Sequence, residues 1–522
     1  MRRPLRLLAL CLCALALLCS CEQPDSPQPT PTETPIPTAA PTETPQPVQF
    51  SLGYDPTVSL HPITGNSQVN QELTGLVYQG LYELDNTFTP QPVLAADASV
   101  SEDALTWTFT LAEGAVFSDG TPLTARHAAS SLNQARTGSV YAVRLSAVTK
   151  VTAADDVTLT VTLSDANGNL PALLDVPIVL EPGPDEDGNL PPAPLGTGYY
   201  RYVQEEDALY LQVNPYCPAA ADLPYDAIPL IPVSSTEERI AAFDSGAVSA
   251  VTTDFSSPYA LNYSGGYEIT DYPTTSLLYV GFNAAAGACR SSLVRQAFSR
   301  AFDRASLVET LLAGHGDPAI LPVSPLSGEY SQAHAALLEY DPDAAAQLLA
   351  QAGYTLNEAG LLCGRDGPLE VTLLVNSDNG VRRNVADRLA EALGSLGVTA
   401  EVRHLPWSDY TAALAAGKFD LYLGEVRLTG DFDLSALLTG ELNYSGLKNV
   451  ELAEAVKQWR ANRGVWRTVA ANVLWGQFVE DLPVAPLCFK RESLLVRWGM
   501  VSNARPTRAN PWYRMEQWIV TR

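Results

Sequence analysis

The residues of this chain that could do chemistry are concentrated in one charged run at positions 425–433, Glu-Val-Arg-Leu-Thr-Gly-Asp-Phe-Asp. Its carboxylates could bind a desolvated ammonium group, which needs a negative partner and hydrogen-bond acceptors. Glu425 and Arg427 could contact a ligand or each other. Asp431 and Asp433 have a second candidate role, because either one could cap a short helix at residues 434–438.

No arrangement typical of catalysis or metal binding accompanies this run. The sequence contains no HExxH, no GxSxG and no glycine-rich nucleotide loop, and its five histidines show no paired ligand spacing. We therefore predict a protein that is not an enzyme and that carries no cofactor or metal. Four cysteines lie outside the N-terminal segment and lack CxxC spacing: Cys217, Cys289, Cys363 and Cys488. We expect them to be buried or partly buried thiols. One disulfide among them is the alternative.

The elements before the charged run predict where it lies. Strand-like segments at residues 369–375, 398–403 and 419–423 alternate with helical patterns at 382–396 and 409–416. This β-α-β-α-β order suggests a parallel sheet with right-handed crossovers. In open α/β sheets, ligands bind beyond the carboxyl ends of the strands, so the charged run is expected to border a cleft.

Three further residues are candidates for lining side-chain pockets near that cleft. Trp407 opens the helix after the second strand, and Tyr279 and Asn283 lie beside a predicted crossing between two domains. Aromatic rings suit pockets that accept varied side chains, but packing inside the protein is the alternative role for each of the three residues.

Segments spread along the chain resemble one protein family. The sequence Thr-Trp-Thr-Phe-Thr-Leu at 106–111 alternates as a half-buried strand does, and Asp-Gly-Thr-Pro-Leu-Thr-Ala follows at 119–125, before an alanine-rich helix. Together with helical segments at 294–304 and 341–354, this order resembles the family 5 extracellular solute-binding proteins. That family includes the oligopeptide-, dipeptide- and nickel-binding proteins of ABC importers. Arg126 and His127 depart from it, because the family usually has two acidic residues there.

The resemblance covers roughly residues 48–495 and implies an α/β fold of the type II periplasmic-binding-protein class. Two lobes with a hinge and an extra α/β insertion domain are expected. The implied boundaries are residues 48–90, 191–273 and 491–522 for the core of the first lobe, 91–190 for its insertion domain, and 274–490 for the second lobe. Closure of the lobes on a ligand would present the form that an importer recognises.

The resemblance also implies a function and roles for single residues. Peptide-binding members pair an aspartate with the α-ammonium group of the ligand, and Asp431 is the residue that matches. Tyr444 lies in a segment, 443–447, that resembles a family loop near the binding site. Capture of oligopeptides is implied, with ABC permease and ATPase subunits as partners. Binding of nickel, haem or another small solute, and peptide sensing without transport, are the alternatives.

The N-terminal segment predicts how the protein is held at a membrane. Residues 1–21 have the pattern of a lipoprotein signal peptide, in which a basic start precedes an apolar run that is short for a membrane span. The segment ends in Leu-Cys-Ser-Cys, which resembles a lipobox with Cys21 as the lipidated residue. Residues 22–47 form a Pro/Thr-rich tether. We expect an extracytoplasmic protein on a lipid anchor, and a net charge of −26 disfavours nucleic acid as a partner.

Overall fold

The structure is a computed structural model that describes residues 49–183, 191–257 and 259–520. The predicted signal peptide, the tether and Cys21 lie outside these described residues, as does the end of the predicted insertion domain at 184–190. Contacts between residues join Gln49–Arg522 into one unit. None of the helices in the described ranges is long and apolar enough to cross a membrane.

The α-helices are short, apart from three that exceed eleven residues. In chain order they are α1 Gln68–Glu72, α2 Thr74–Val77, α3 Ala125–Ala135, α4 Thr236–Ser245, α5 Ser292–Ala301, α6 Arg304–Leu311, α7 Gln332–Ala335, α8 Pro342–Gln351, α9 Gly380–Ser395, α10 Trp407–Ala415, α11 Ser435–Leu438, α12 Val450–Ala461 and α13 Gly464–Asp481.

The strands are also short, except for two that connect the lobes. In chain order they are β1 Leu52–Tyr54, β2 Tyr82–Leu84, β3 Pro90–Pro92, β4 Ala95–Val100, β5 Thr106–Leu111, β6 Val148–Ala153, β7 Thr158–Leu163, β8 Tyr200–Glu205, β9 Ala208–Val213, β10 Ala227–Pro232, β11 Ala250–Thr253, β12 Tyr267–Phe282, β13 Gly316–Pro318, β14 Thr355–Leu356, β15 Leu362–Gly364, β16 Gly367–Pro368, β17 Glu370–Asn376, β18 Thr399–Leu405, β19 Leu421–Arg427, β20 Val484–Arg497, β21 Val501–Ser502 and β22 Ile519–Val520.

The largest sheet has the strand order β11-β20-β12-β19-β17-β18. β17 pairs in parallel with both β18 and β19, as the predicted β-α-β-α-β order requires. Most residues of β17 are buried, because helices cover parallel strands on both faces. β19 continues to Arg427, beyond the predicted end at residue 423, because its antiparallel pairing with β12 extends to Ser276. The carboxyl ends of β17, β18 and β19 therefore meet at one edge of the sheet.

Two long strands, β12 and β20, run from one hydrophobic core into another. Near one end, Tyr272 and Leu494 pack in the core that contains β1, β8, β9 and the insertion domain. Further along, Leu277 and Phe489 pack in a second core with α5, α9 and α13. Pairing of the two strands is irregular between Pro273 and Leu277, at the passage between the cores. The predicted two-lobe α/β fold is confirmed, and the residue boundaries of the lobes stay predictions.

The insertion domain consists of the sheet β4-β5-β7-β6 and helix α3. Trp107, Phe109 and Leu111 of β5 are buried, as their alternation predicts. His127, one of the two residues that depart from the family pattern, helps to cap α3: its Nδ1 accepts a hydrogen bond of 3.1 Å from the Thr124 backbone N–H. The side chain thus replaces the acidic residue that usually closes such a capping box.

Candidate functional site

A cavity of about 520 Å³ lies where the first lobe faces the hinge and the second lobe. The first lobe contributes the residues that follow the carboxyl ends of β1, β10 and β11, including Asp55 and Asp254. Arg427 at the end of β19 and Glu492 on β20 close the opposite side. We call this space the interlobe cleft. Its position is the one expected for a ligand site in an α/β fold.

Four charged side chains form a series of ion pairs that connects the two lobes. Arg382 of α9 donates two hydrogen bonds to one oxygen of Glu425, from Nε at 3.1 Å and from a terminal nitrogen at 2.6 Å. The other oxygen of Glu425 accepts from Lys490 Nζ at 3.2 Å. Lys490 also donates to Asp254 at 2.7 Å, and Asp254 belongs to the first lobe. Opposite charges therefore connect both lobes through the hinge strand β20.

Lys490 is the central cation of this series of ion pairs, and its side chain is 9% exposed. Burial alone would lower the pKa of Lys490, but the carboxylates of Glu425 and Asp254 overcome that effect and raise it. Burial would likewise raise the pKa of Asp254, but the charge and hydrogen bond of Lys490 lower it. Both groups are therefore held in their charged forms at neutral pH.

Arg427 presents a positive charge to the cleft. Its guanidinium donates to Glu492 at 2.8 Å, and the Arg427 side chain is 61% exposed. Glu492 also accepts from the hydroxyl of Tyr272 at 3.1 Å, which fixes its position on β20. Glu425 and Arg427 do not form the ion pair with each other that the sequence allowed. Glu425 pairs with Arg382 and Lys490, and Arg427 pairs with Glu492.

Trp407 lies at the same sheet edge, where β18 ends and α10 begins. Its side chain is 57% exposed, and one face of the ring stacks on Tyr410 at 5.8 Å. Tyr410 is fixed by a hydrogen bond of 2.9 Å from its hydroxyl to the Leu423 carbonyl. Trp407 therefore has a free aromatic surface on a rigid support.

Asp431 lies in a contact between the lobes and does not line the cleft. It is 3% exposed, and its two carboxylate oxygens accept hydrogen bonds from Asn167 Nδ2 at 2.7 Å and from Thr429 Oγ1 at 2.5 Å. Asn167 belongs to the insertion domain. In this conformation a ligand ammonium group cannot approach the Asp431 carboxylate.

Asp433, by contrast, accepts a hydrogen bond of 2.9 Å from the Ser435 backbone N–H at the start of α11, close to the predicted capping role.

Other close contacts lie near this position and also join the first lobe to the second. Phe88 packs edge-to-face against Phe432 with ring centroids 4.9 Å apart. The backbone N–H of Gly168 donates to the Arg460 carbonyl at 2.8 Å. A side chain at Gly168 would clash with the Asn462 carbonyl oxygen, so only glycine allows the two backbones to approach this closely. We call this contact region the insertion-domain interface.

Three predicted site residues are placed away from the cleft. Tyr279 is buried near the carboxyl end of β12, where it packs on Gly424 and Tyr422. Asn283 follows the end of β12 at the opposite edge of the sheet, and its amide donates to the carbonyls of Gly417 and Phe419. Tyr444 is half-buried against the second core near that same edge. These three residues therefore do not lie at the carboxyl edge of the sheet, where Trp407 and Arg427 are placed.

A sequence profile decides the family of this chain. The profile described as bacterial extracellular solute-binding proteins, family 5 (middle), matches residues 89–439. This chain belongs to that family. The solute-binding protein is therefore, as the family resemblance implied, a substrate-binding protein that serves an ABC importer, and it is not an enzyme. Members of the family work outside the cytoplasm.

Individual relatives of this solute-binding protein differ in the solutes for which they are named. The glutathione-binding protein GsiB of Escherichia coli O1:K1 / APEC is 28% identical over 359 residues, which cover 66% of this chain and 67% of GsiB. Among solved structures, the murein tripeptide-binding protein MppA in its unliganded open form has a TM-score of 0.74 at 20% identity, covering 88% of this chain and 95% of MppA. A nickel ABC transporter protein from Bacillus halodurans has a TM-score of 0.73 at 20% identity, covering 90% and 99%.

Sequence reasoning missed most of the charged residues around the cleft of this solute-binding protein. Asp254 and Arg382 carried a usable signal, since one follows a strand and the other starts a helix beyond a strand. Lys490 carried none, because it lies inside a long strand and its partners are distant in sequence. Within the described residues, the four cysteines are free, and only Cys363 is not fully buried.

Proposed function

We propose that this solute-binding protein captures oligopeptides or closely related small solutes in the interlobe cleft and delivers them to the permease and ATPase subunits of an ABC importer. The observation that carries this proposal is a cavity of about 520 Å³ bordered by charges of both signs from both lobes. A peptide carries an ammonium and a carboxylate group, so it can pair with groups of both signs and draw the lobes together.

The proposed ligand contacts are Arg427, which lines the cleft, and Trp407, which lies at the carboxyl edge of the large sheet. Arg427 offers an exposed guanidinium to a carboxylate, and Trp407 offers a free ring face to an apolar side chain. Glu425 is not among the residues that line the cleft, and its charge is neutralised by Arg382 and Lys490. Asp431 would reach a ligand only after its bond to Asn167 opens. For Tyr279, Asn283 and Tyr444, their contacts favour the packing role.

Relatives support a peptide-like ligand and also keep one alternative open. GsiB is named for glutathione and MppA for a murein tripeptide, whereas the Bacillus halodurans protein is named for nickel. The second candidate is therefore a nickel chelate, haem or another small solute in the same cleft. A peptide-sensing receptor without transport would use the same binding geometry, so it differs only in its downstream partner.

We expect native mass spectrometry of the purified soluble domain, residues 49–522, to detect co-purified peptides. Calorimetry with equimolar di- and tripeptide pools should then give saturable binding. A domain that co-purifies with a metal chelate, and that binds none of these pools, would exclude the peptide proposal and favour the alternative solute. Uptake of the bound peptide by cells, lost on deletion of the importer's permease genes, separates transport from sensing.

We also propose that Cys21 carries the lipid anchor, which rests on the lipobox-like sequence and the Pro/Thr-rich tether. Cys21→Ser should move most of the protein from the membrane fraction to the medium or periplasm, because one protein-linked lipid group is the expected attachment. Immunoblots of fractionated cells measure the distribution. Cys19→Ser is the matched control and should leave the protein at the membrane. Equal retention of both variants would refute the assignment.

A further inference from the structure

The outer face of helix α13 is apolar and carries no exposed charge along most of its length. Between positions 464 and 479 the one charged residue is Arg467, which is buried and paired with Glu329. Four large apolar residues recur at the spacing of helical turns, lie on one side of the helix and are 49–78% exposed: Val465, Trp466, Val469 and Val473. We call these four residues the α13 stripe.

The α13 stripe differs from the water-facing side of a neighbouring helix. α12 packs beside α13 and exposes Glu451, Glu454 and Lys457. Valine lowers helix propensity, and the exposed valines of the stripe gain little from packing inside the protein. The stripe presents roughly 300–500 Å² of apolar surface, a size at which such patches on monomers are often functional. On a chain with a net charge of −26, this face is suited to contact with another protein.

Gly476 leaves a gap in the same face, one turn beyond Val473. A β-carbon built at Gly476 would have His334 Nε2 as its nearest described neighbour outside the helix, at 3.8 Å, which is an ordinary van der Waals distance. The fold of a single copy therefore has room for a side chain at this position. Glycine inside a helix is less stable than alanine, so the gap has a cost that packing within one copy does not explain.

The face is complementary to a second copy of itself turned end to end. In an antiparallel pair of α13 helices centred on Ala471, each residue lies opposite the one that is equally far from the centre on the other side. Trp466 then faces Gly476 of the other copy, so the large ring meets the gap. Val469 faces Val473 of the other copy, which brings apolar side chains together at the middle of the contact.

The ends of the helix carry charges that match in the same arrangement. Arg463 immediately precedes α13, Glu480 lies in its last turn, and both side chains are exposed. The antiparallel arrangement centred on Ala471 places Arg463 beside Glu480 of the other copy at both ends. Opposite charges at the rim of an interface fix its register, so one orientation of the two helices is favoured.

We propose that two copies of this chain associate through the α13 stripe in an antiparallel arrangement with two-fold symmetry. Each copy contributes the same surface, as a two-fold interface requires. The stripe and its polar rim are at the low end of the about 800 Å² per partner that a specific interface buries, so the dimer is reversible, with a dissociation constant of about 1–100 μM. The association needs no solute and goes beyond the proposed capture and delivery.

Sedimentation velocity on residues 22–522 tests the dimer. This chain contains the whole unit Gln49–Arg522, and a reducing agent keeps the half-buried Cys363 from linking two copies. The wild type should pass from one copy to two as its concentration rises through the micromolar range. Val473→Glu should raise the dissociation constant at least about hundredfold, because its carboxylate would be buried in the contact without a partner. Val143→Glu is the matched control, since Val143 is 85% exposed in the insertion domain, and it should dimerise like the wild type.

A charge exchange tests the orientation of the two helices. Arg463→Glu and Glu480→Arg should each raise the dissociation constant about threefold to tenfold, because like charges then meet at both ends. The double variant restores opposite charges and should return the dissociation constant to the wild-type value. In a parallel pair each residue would face its own counterpart, so unchanged affinity of all three variants would overturn the antiparallel contact.

Gly476→Ala distinguishes the contact between copies from the stability of the helix. In dilute solution, where the protein is monomeric, this variant should melt at the wild-type temperature or above it, because alanine favours the helix. The added methyl group fills the gap for Trp466, so the dissociation constant should rise about tenfold. A dimer of unchanged affinity would overturn the proposed packing.

Two further results would overturn the inference. One is a wild type that remains monomeric well above the expected range, and the other is equal dimerisation of Val473→Glu and Val143→Glu. If Val473→Glu melts at a clearly lower temperature in dilute solution, the charge exchange decides alone. A monomeric wild type, combined with normal solute binding but reduced uptake for Val473→Glu, would assign the stripe to the permease instead. Solute binding measured by calorimetry should be equal in all these variants, so loss of the dimer leaves solute capture intact.

Discussion

Lys490→Met should lower the free energy of unfolding by about 2–4 kcal/mol, because the change leaves two partly buried carboxylates without their shared cation. The expected loss is below that for a fully enclosed pair, since the Asp254 side chain is 34% exposed. Methionine preserves the length and most of the volume of the side chain, so the loss reports the charge. Urea denaturation followed by tryptophan fluorescence measures it.

The effect of Lys490→Met should depend on pH in a defined direction. In the wild type the pKa of Asp254 is held below its usual value, so this pair stabilises the fold above about pH 4 and stops doing so as pH falls through the lowered pKa. The difference in unfolding free energy between wild type and Lys490→Met should therefore be largest near neutral pH and shrink below about pH 4.

Lys457→Met is the matched control for this prediction. Lys457 is exposed on α12, and its substitution should change the unfolding free energy by less than about 0.5 kcal/mol. Equal stability of Lys490→Met and Lys457→Met at pH 7 would contradict a structural role for the series of ion pairs that connects the lobes. A loss that stays constant down to pH 3 would show that packing, and not charge, causes it.

Asp431→Ala should destabilise the protein by about 2–4 kcal/mol and weaken solute binding by about tenfold or more. The substitution leaves the amide of Asn167 and the hydroxyl of Thr429 without an acceptor inside the insertion-domain interface. Loss of that interface disfavours the arrangement in which both lobes contact each other. If the closed arrangement is the binding-competent one, a penalty of about 1.4 kcal/mol on closure reduces affinity tenfold.

Asn167→Ala separates the two roles that Asp431 could have. If Asp431 acts through the interface, removal of Asn167 should weaken solute binding by an amount similar to Asp431→Ala, and the double variant should add little. If Asp431 pairs with the ligand ammonium group, Asn167→Ala frees the carboxylate, and affinity should be unchanged or higher. Calorimetry with the same peptide pool on all four proteins distinguishes these outcomes, and Asn169→Ala is a nearby control.

The sequence predicted those features that depend on local order. The alternation at 106–111 identified a strand with Trp107, Phe109 and Leu111 buried, and the β-α-β-α-β order placed the charged run at the carboxyl edge of the large sheet. This order places Glu425, Arg427 and Trp407 at that edge, and their roles in ligand binding stay predictions. Such predictions succeed because side-chain period and strand direction follow from neighbouring residues.

The partners of the charged residues required the tertiary structure. Asp254 and Lys490 are 236 positions apart, and Asn167 and Asp431 are 264 positions apart. Their contact depends on the register of β12 against β20 and on how the insertion domain meets the second lobe. Nothing in the local sequence of Asp431 indicates whether its carboxylate meets a ligand or an asparagine, because both donate hydrogen bonds to the same oxygens.

By itself, the sequence of this protein determined the family, the two-lobe α/β fold and the sheet edge at which charged groups gather. Only the tertiary structure decided which charges remain free to meet a solute. Arg427 presents its guanidinium group to the cleft, whereas Lys490 and Asp431 are engaged between the lobes. The physical reason is that a side chain's type sets what it can bind, but distance and burial set what it does bind.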